Sequence, residues 1–241
     1  MSRIRMINSL GEEKTLPLGL SMPSIDLGID IPTMPLHAYD GSVVTGSPQV
    51  QPRQLEIAGS IYDPNKSVIR STWDDLVRFL LQGPLKIYKW EDRYIQAYCQ
   101  GSHLNWLDDG AELEVRIPLL APDPYWYGEL ESHAFSGTQT IINKGNVPVY
   151  PKCRGTSIVP IDLQNTTNGN ILTIGRIGAK RVDCAEYTAT LQLGQDPNNT
   201  INILNDVTSP NWFLDSWRLE PGANTIVSQN TIVIEFNPRY A

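Results

Sequence analysis

AELEVRIPLLAPDPYWYG, residues 111 to 128, is the stretch on which the reading of the fold turns. Leu113, Val115 and Ile117 alternate with Glu112, Glu114 and Arg116, the period-2 pattern of a strand with one face on a core and one in water. Pro122 and Pro124 push Ala121 and Asp123 away from helical backbone. Tyr125, Trp126 and Tyr127 then take alternate faces of an extended segment, and Gly128 releases it. Aromatics at the end of an amphipathic strand, where the composition changes, mark a seam between two domains. Tyr125, Trp126 and Tyr127 are the residues expected to cover the edge of the first domain.

Upstream of this stretch the chain predicts strands in QLEIAGSIY (54 to 62), LKIYKW (85 to 90) and RYIQAYCQG (93 to 101). Glu91 and Asp92 lie between the last two, which predicts a tight hairpin. One helix is expected at about residues 72 to 82. Ser71 or Thr72 is followed three residues later by Asp74 or Asp75, a capping-box pattern, and Trp73, Leu76, Val77 and Leu80 form one apolar stripe. Gly83 and Pro84 supply the stop.

Downstream the texture changes. Helical periodicity disappears, Asn, Thr and Gly become frequent, and short strands recur in FSGTQTIIN, TSIVPIDLQN, ILTIG, RVDCAEYTATLQL and NTIVIEFNPRY. That spacing predicts an antiparallel sandwich. In NKGNVPVYP (143 to 151), Gly145 and Asn146 are available for positive φ, and in EPGANTI (220 to 226) the order Pro221-Gly222 suits a type II turn. The fold class is therefore mainly β. An N-terminal β-rich domain with one helix occupies residues 1 to 130, and a C-terminal sandwich occupies 131 to 241.

Composition removes several functions from consideration. The net charge is -7, from 26 acidic and 19 basic residues, and no basic stripe exists to neutralise a phosphate backbone, so nucleic acid is not an expected partner. No stretch reaches the length of a membrane span, and no apolar region or cleavage site follows Arg3 and Arg5, so membrane insertion and secretion are not expected. Cys99, Cys153 and Cys184 are odd in number and far apart, which predicts free thiols. His37, His103 and His133 are isolated, so no metal site is expected. No Gly-x-Ser-x-Gly elbow or phosphate-cradling glycine loop occurs. Asp108 and Asp109 are adjacent residues of a turn, poorly placed as a catalytic carboxylate pair. The expectation is a protein with no catalytic residues and no cofactor.

Several segments in this order carry a family resemblance: AYDGSVVTG, LEIAGSIY, the helix ending in LLQGPL, AELEVRIPLLAPDPYWYG, INKGNVPVYPKCRG and LEPGANTIVSQNTIVIEFNPRY. The sequence resembles the distal tail proteins of phages with long, non-contractile tails, along nearly the whole chain and most loosely over the first forty residues. The resemblance implies an N-terminal domain that closes a six-subunit ring and a C-terminal galectin-like sandwich facing outward. It implies a structural role at the virion tail tip, after assembly in the host cytoplasm. The implied partners are other copies of the chain, the tail tube protein, and the tail-tip hub and receptor-binding proteins.

A ring needs two complementary patches per subunit. The hairpin of Trp90, Glu91 and Asp92 is the candidate interface. The alternative function is a lectin-like module that recognises host cell-surface saccharide. For that, Trp212, beside Pro210 and Asn211, is the candidate glycan contact, whereas Trp217 shares a face with Leu219 and is expected in the core.

Overall fold

The computed structural model describes residues 4–22, 29–30, 33–35, 42–44, 49–90, 92–107, 111–157, 161–175, 178–184, 188–192, 200–202, 207–208 and 217–241. The chain forms two compact units, Met1–Trp126 (with Ala241) and Tyr127–Tyr240. The division falls inside the aromatic cluster. Glu131, at which the sequence reading starts the C-terminal domain, opens the first long strand of the second unit.

The first unit contains β1 (Arg5–Ile7), β2 (Glu13–Thr15), β3 (Leu20–Ser21), β4 (Ile29–Asp30), β5 (Thr33–Pro35), β6 (Ser42–Val44), β7 (Gln49–Val50) and β8 (Arg53–Tyr62). After these come α1 (Lys66–Leu80), β9 (Leu85–Trp90), β10 (Arg93–Cys99), β11 (His103–Leu107) and β12 (Glu112–Ala121), with β13 (Trp126–Tyr127) at the division. Two antiparallel ladders, β2-β1-β9-β10 and β11-β12-β8-β3, join where Tyr98 and Cys99 pair with Leu120 and Leu119. The alternation read in β12 is present: Leu113, Val115, Ile117, Leu119 and Ala121 are buried, and β8 opposes them with Ile61, Ile57 and Leu55. β9 and β10 form the expected hairpin, with Ile87 opposite Ile95 and a register shift at Arg93 and Tyr94.

The helix begins earlier than its apolar spacing predicts, at Lys66 instead of about residue 72. Asn65 is the N-cap and accepts a hydrogen bond from the Ser67 N–H at 3.0 Å, and Asp63 in turn accepts from the Asn65 N–H at 2.8 Å. Ser71, one of the two expected caps, donates its hydroxyl to the Val68 carbonyl inside the helix. The buried stripe is Ile69, Leu76, Phe79 and Leu80, longer by one turn at its N-terminal end than the expected one. The chain leaves the helix through Gly83, at φ 98.

The second unit contains β14 (Glu131–Asn143), β15 (Lys152–Ser157), β16 (Ile161–Asn165), β17 (Asn170–Ile174), β18 (Gly178–Asp183), β19 (Thr188–Gln192), β20 (Thr200–Asn202), β21 (Val207–Thr208), β22 (Gly222–Phe236) and β23 (Arg239–Tyr240). β14 and β22 pair along their length and are interrupted by an irregularity between Phe135 and Gly137. Beyond that point β22 changes its other partner. Residues 226–228 pair with β16, and residues 232–235 pair with β15. One ladder continues as β15-β18-β19-β20, the other as β16-β17-β21. Side chains from both ladders, including Cys153, Val182, Leu163, Leu172, Ile226 and Ile234, meet in one buried cluster. The ladders are thus two layers of a sandwich folded at the bulge of a shared pair of strands.

Three buried asparagines fix the segment that crosses this core. Asn143 donates to the carbonyls of Val147 and Leu219 and accepts from the Gly145 N–H. Asn165 donates to the Arg218 carbonyl at 2.9 Å and to Asn224 Oδ1 at 3.1 Å. Asn224 accepts from the Glu220 N–H and donates to the Glu220 and Gly222 carbonyls. These bonds seat Trp217 and Leu219, both fully buried, as the shared face of Trp217 and Leu219 predicts. Gly222, at φ 87, takes the positive φ that the Pro221-Gly222 order calls for. Gly145 serves a different purpose from the one its sequence context implies. Its φ lies outside the positive region, and the reason for glycine is space, since a Cβ there would fall into the Arg239 backbone.

Candidate functional site

Among its described residues, the first unit leaves its core open along one strand. β11 pairs with β12 along its whole length, and its other edge meets no described strand. Trp106 is in register with Leu113, and Leu104 with Val115. Both partners are fully buried, yet Trp106 is 43% exposed and Leu104 is 44% exposed. The apolar face of the sheet therefore continues onto an edge strand and meets water there. From above, the Arg70 guanidinium of α1 reaches to 5.9 Å from the Trp106 ring centroid. Exposed edges carrying large apolar residues attract another strand or another chain.

A second apolar patch lies elsewhere on the same unit. The loop after β1 is tied to the end of α1: Asn8 and Ser9 hydrogen-bond Gln82 through its side chain and its carbonyl. Leu10 and Leu81, the residues beside this tie, are 71% and 75% exposed.

The outward face of β15, β18 and β22 in the second unit is of another kind. A cavity of about 770 Å³ opens on it, with Arg154 and Arg181 on its floor and Thr156, Thr190, Thr200 and Thr231 around them. Arg154 and Arg181 stand directly opposite each other in the ladder. Glu235 engages Arg154 at 2.7 Å, while Lys152 engages Asp183 at 2.8 Å. Lys180 is turned the other way and buried, with its ammonium donating to the Ile174 carbonyl at 3.3 Å; burial lowers its pKa.

The residues singled out in the sequence are scattered. Trp90 closes β9 in register with Arg93, described in its backbone only, and Glu91 lies outside the described residues. Asp92 is exposed and lies 3.6 Å from Arg93. Tyr125 is partly buried and donates its N–H to Asp123, Trp126 is buried, and Tyr127 lies under the Arg239 guanidinium at 5.9 Å. Trp212, Asp108, Asp109 and His37 lie outside the described residues. His103 is exposed on β11, and His133 sits 3.4 Å from Glu131 and stacks on Phe236. Among the described residues no group of three or more His, Cys, Asp or Glu is placed to hold a metal ion. Among the same residues no helix is long and apolar enough to cross a membrane. A hydrogen bond with Cys184, and then burial, push the Cys153 thiol well above its ordinary pKa, so that it stays protonated.

The chain has a β-rich, Dit-like fold. The chain is similar over 100% of its length, and over 100% of the other, to the Dit protein of phage SPP1, described as a paradigm of the hub adsorption apparatus in phages infecting Gram-positive hosts, with TM-score 0.74 and 16% identity. Chains of the phage P2 baseplate in its activated conformation, with Ca and with Sr, match 98% of this chain and 98% and 97% of their own, with TM-score 0.53 and identities of 10% and 9%. No family model and no curated protein matches the sequence. At these identities the likeness is one of fold.

Proposed function

We propose that this chain is a structural component of a phage tail tip, an adaptor ring that joins the tail tube to the tip and receptor-binding proteins without catalysis. The observation that carries the reading is the end-to-end likeness to SPP1 Dit, a hub protein, across both units. The ring has six copies, closes through the N-terminal unit, and presents the C-terminal sandwich as a galectin-like outward module. It is built in the host cytoplasm and resides in the virion.

The open edge of β11 supports this reading with a location. Cyclic assembly needs two different patches on each subunit. The β11 edge and the Leu10/Leu81 patch are two apolar surfaces on different parts of the same unit. A neighbouring strand added to β11 supplies main-chain hydrogen bonds, and burying what remains exposed of Leu104 and Trp106 adds roughly 1 kcal/mol for each side chain. Native mass spectrometry of the purified chain tests the proposal. Closed rings are expected, and Trp106→Ala is expected to weaken them more than Trp90→Ala. A chain that stays monomeric even with tail tube and tip proteins present would overturn it.

A further inference from the structure

The cavity on the C-terminal unit has a charge pattern opposite to that of the chain that carries it. The chain has a net charge of -7, yet among the described residues the charged side chains facing the cavity are Arg154 and Arg181, with no carboxylate in the lining, while the Lys180 ammonium is turned into the interior. Arg154 and Arg181 are directly opposite in an antiparallel ladder, where like charges oppose pairing. Glu235 at the rim compensates Arg154. Arg181 is exposed and has no hydrogen-bond or ion-pair partner among the described residues. An anion held by its fork of donors would relieve the repulsion between the two guanidiniums.

The rest of the lining narrows the class of anion. Four threonines, Thr156, Thr190, Thr200 and Thr231, offer hydroxyls that both donate and accept. Among the described residues the apolar side chains there are Ala179 and Val233, with no aromatic. Such a floor lacks the apolar centre of a protein interface. A volume of about 770 Å³ fits an organic ligand and far exceeds the needs of an inorganic anion.

We infer that this cavity binds an anionic saccharide, with a sugar phosphate or uronate group held by Arg181 beside Arg154 and the sugar hydroxyls held by the surrounding threonines. The inference does not depend on ring assembly: normal rings that bind no sugar refute it alone.

Calorimetric titration of the full chain at low salt tests it, with four probes: phosphorylated maltohexaose, a hyaluronan hexasaccharide, unmodified maltohexaose and inorganic phosphate. One of the two charged oligosaccharides is expected to bind at least about tenfold more tightly than either control, and which one does separates phosphate from carboxylate recognition. Arg181→Gln is expected to weaken that binding about tenfold with an unchanged melting temperature. Arg181→Lys, which keeps the charge without the fork, is expected to recover part of it. The inference is overturned if neither charged oligosaccharide binds below about 10 mM. It is equally overturned if maltohexaose binds as tightly, if Arg181→Gln changes nothing, or if a polyglutamate peptide, titrated as a fifth probe, binds where the saccharides do not.

Discussion

Trp106 and Trp217 are the same residue put to opposite uses. Trp217 is fully buried in the C-terminal unit, beneath a segment held by three satisfied asparagines. Trp106 occupies a core-facing position in the N-terminal unit, and no described strand of its own chain pairs with the free edge of β11. Among the described residues one core is closed and the other is left open at an edge. The difference teaches where each unit meets the outside: the first through apolar surface that suits another protein, the second through a polar face that suits a hydrated ligand.

The sharpest way to break this contrast is to remove both rings. Trp217→Ala is expected to destabilise the C-terminal unit by about 3 to 5 kcal/mol, measured by urea unfolding. Trp217→Phe is expected to cost much less, because the indole N–H has no hydrogen-bond partner among the described residues and nothing polar is lost. Asn224→Ala comes next, at about 2 kcal/mol, since it removes partners from the half-buried Glu220 N–H and from the buried Asn165 amide. Trp106→Ala is expected to change monomer stability by only about 1 kcal/mol while lowering ring affinity at least tenfold, read by mass photometry against concentration. A variant that instead unfolds as Trp217→Ala does would place Trp106 in a finished core and end the contrast. Thiol labelling gives the smallest effect. Of the three cysteines, partly exposed Cys99 is expected to react in the native protein, with Cys153 and Cys184 reacting only after unfolding.

The parts of the fold that follow a simple period were readable from the sequence. β8, β9, β10 and β12 were legible because buried and exposed side chains alternate in them. Residues with two competing uses were misleading. Ser71 and the aspartates after it imitate a cap in mid-helix, whereas the working cap, Asn65, follows a proline and reads as a turn. β22 begins eight residues before its clear alternation, because Asn224 and Ser228 occupy inward positions that normally mark water. β11 gave no signal, since both of its faces are exposed and carry apolar residues. The cavity was hidden for a different reason: Arg154, Arg181 and Thr231 are distant in sequence and meet only through strand register.

The central claim is that the N-terminal unit is completed by neighbouring copies, and the particle mass of the purified wild-type chain tests it most directly. Closed rings of one size are predicted, dissociating on dilution and lost when Leu104 and Trp106 are both replaced by aspartate. A monomer at every concentration, with or without tail partners, or rings unaffected by those replacements, would contradict the account.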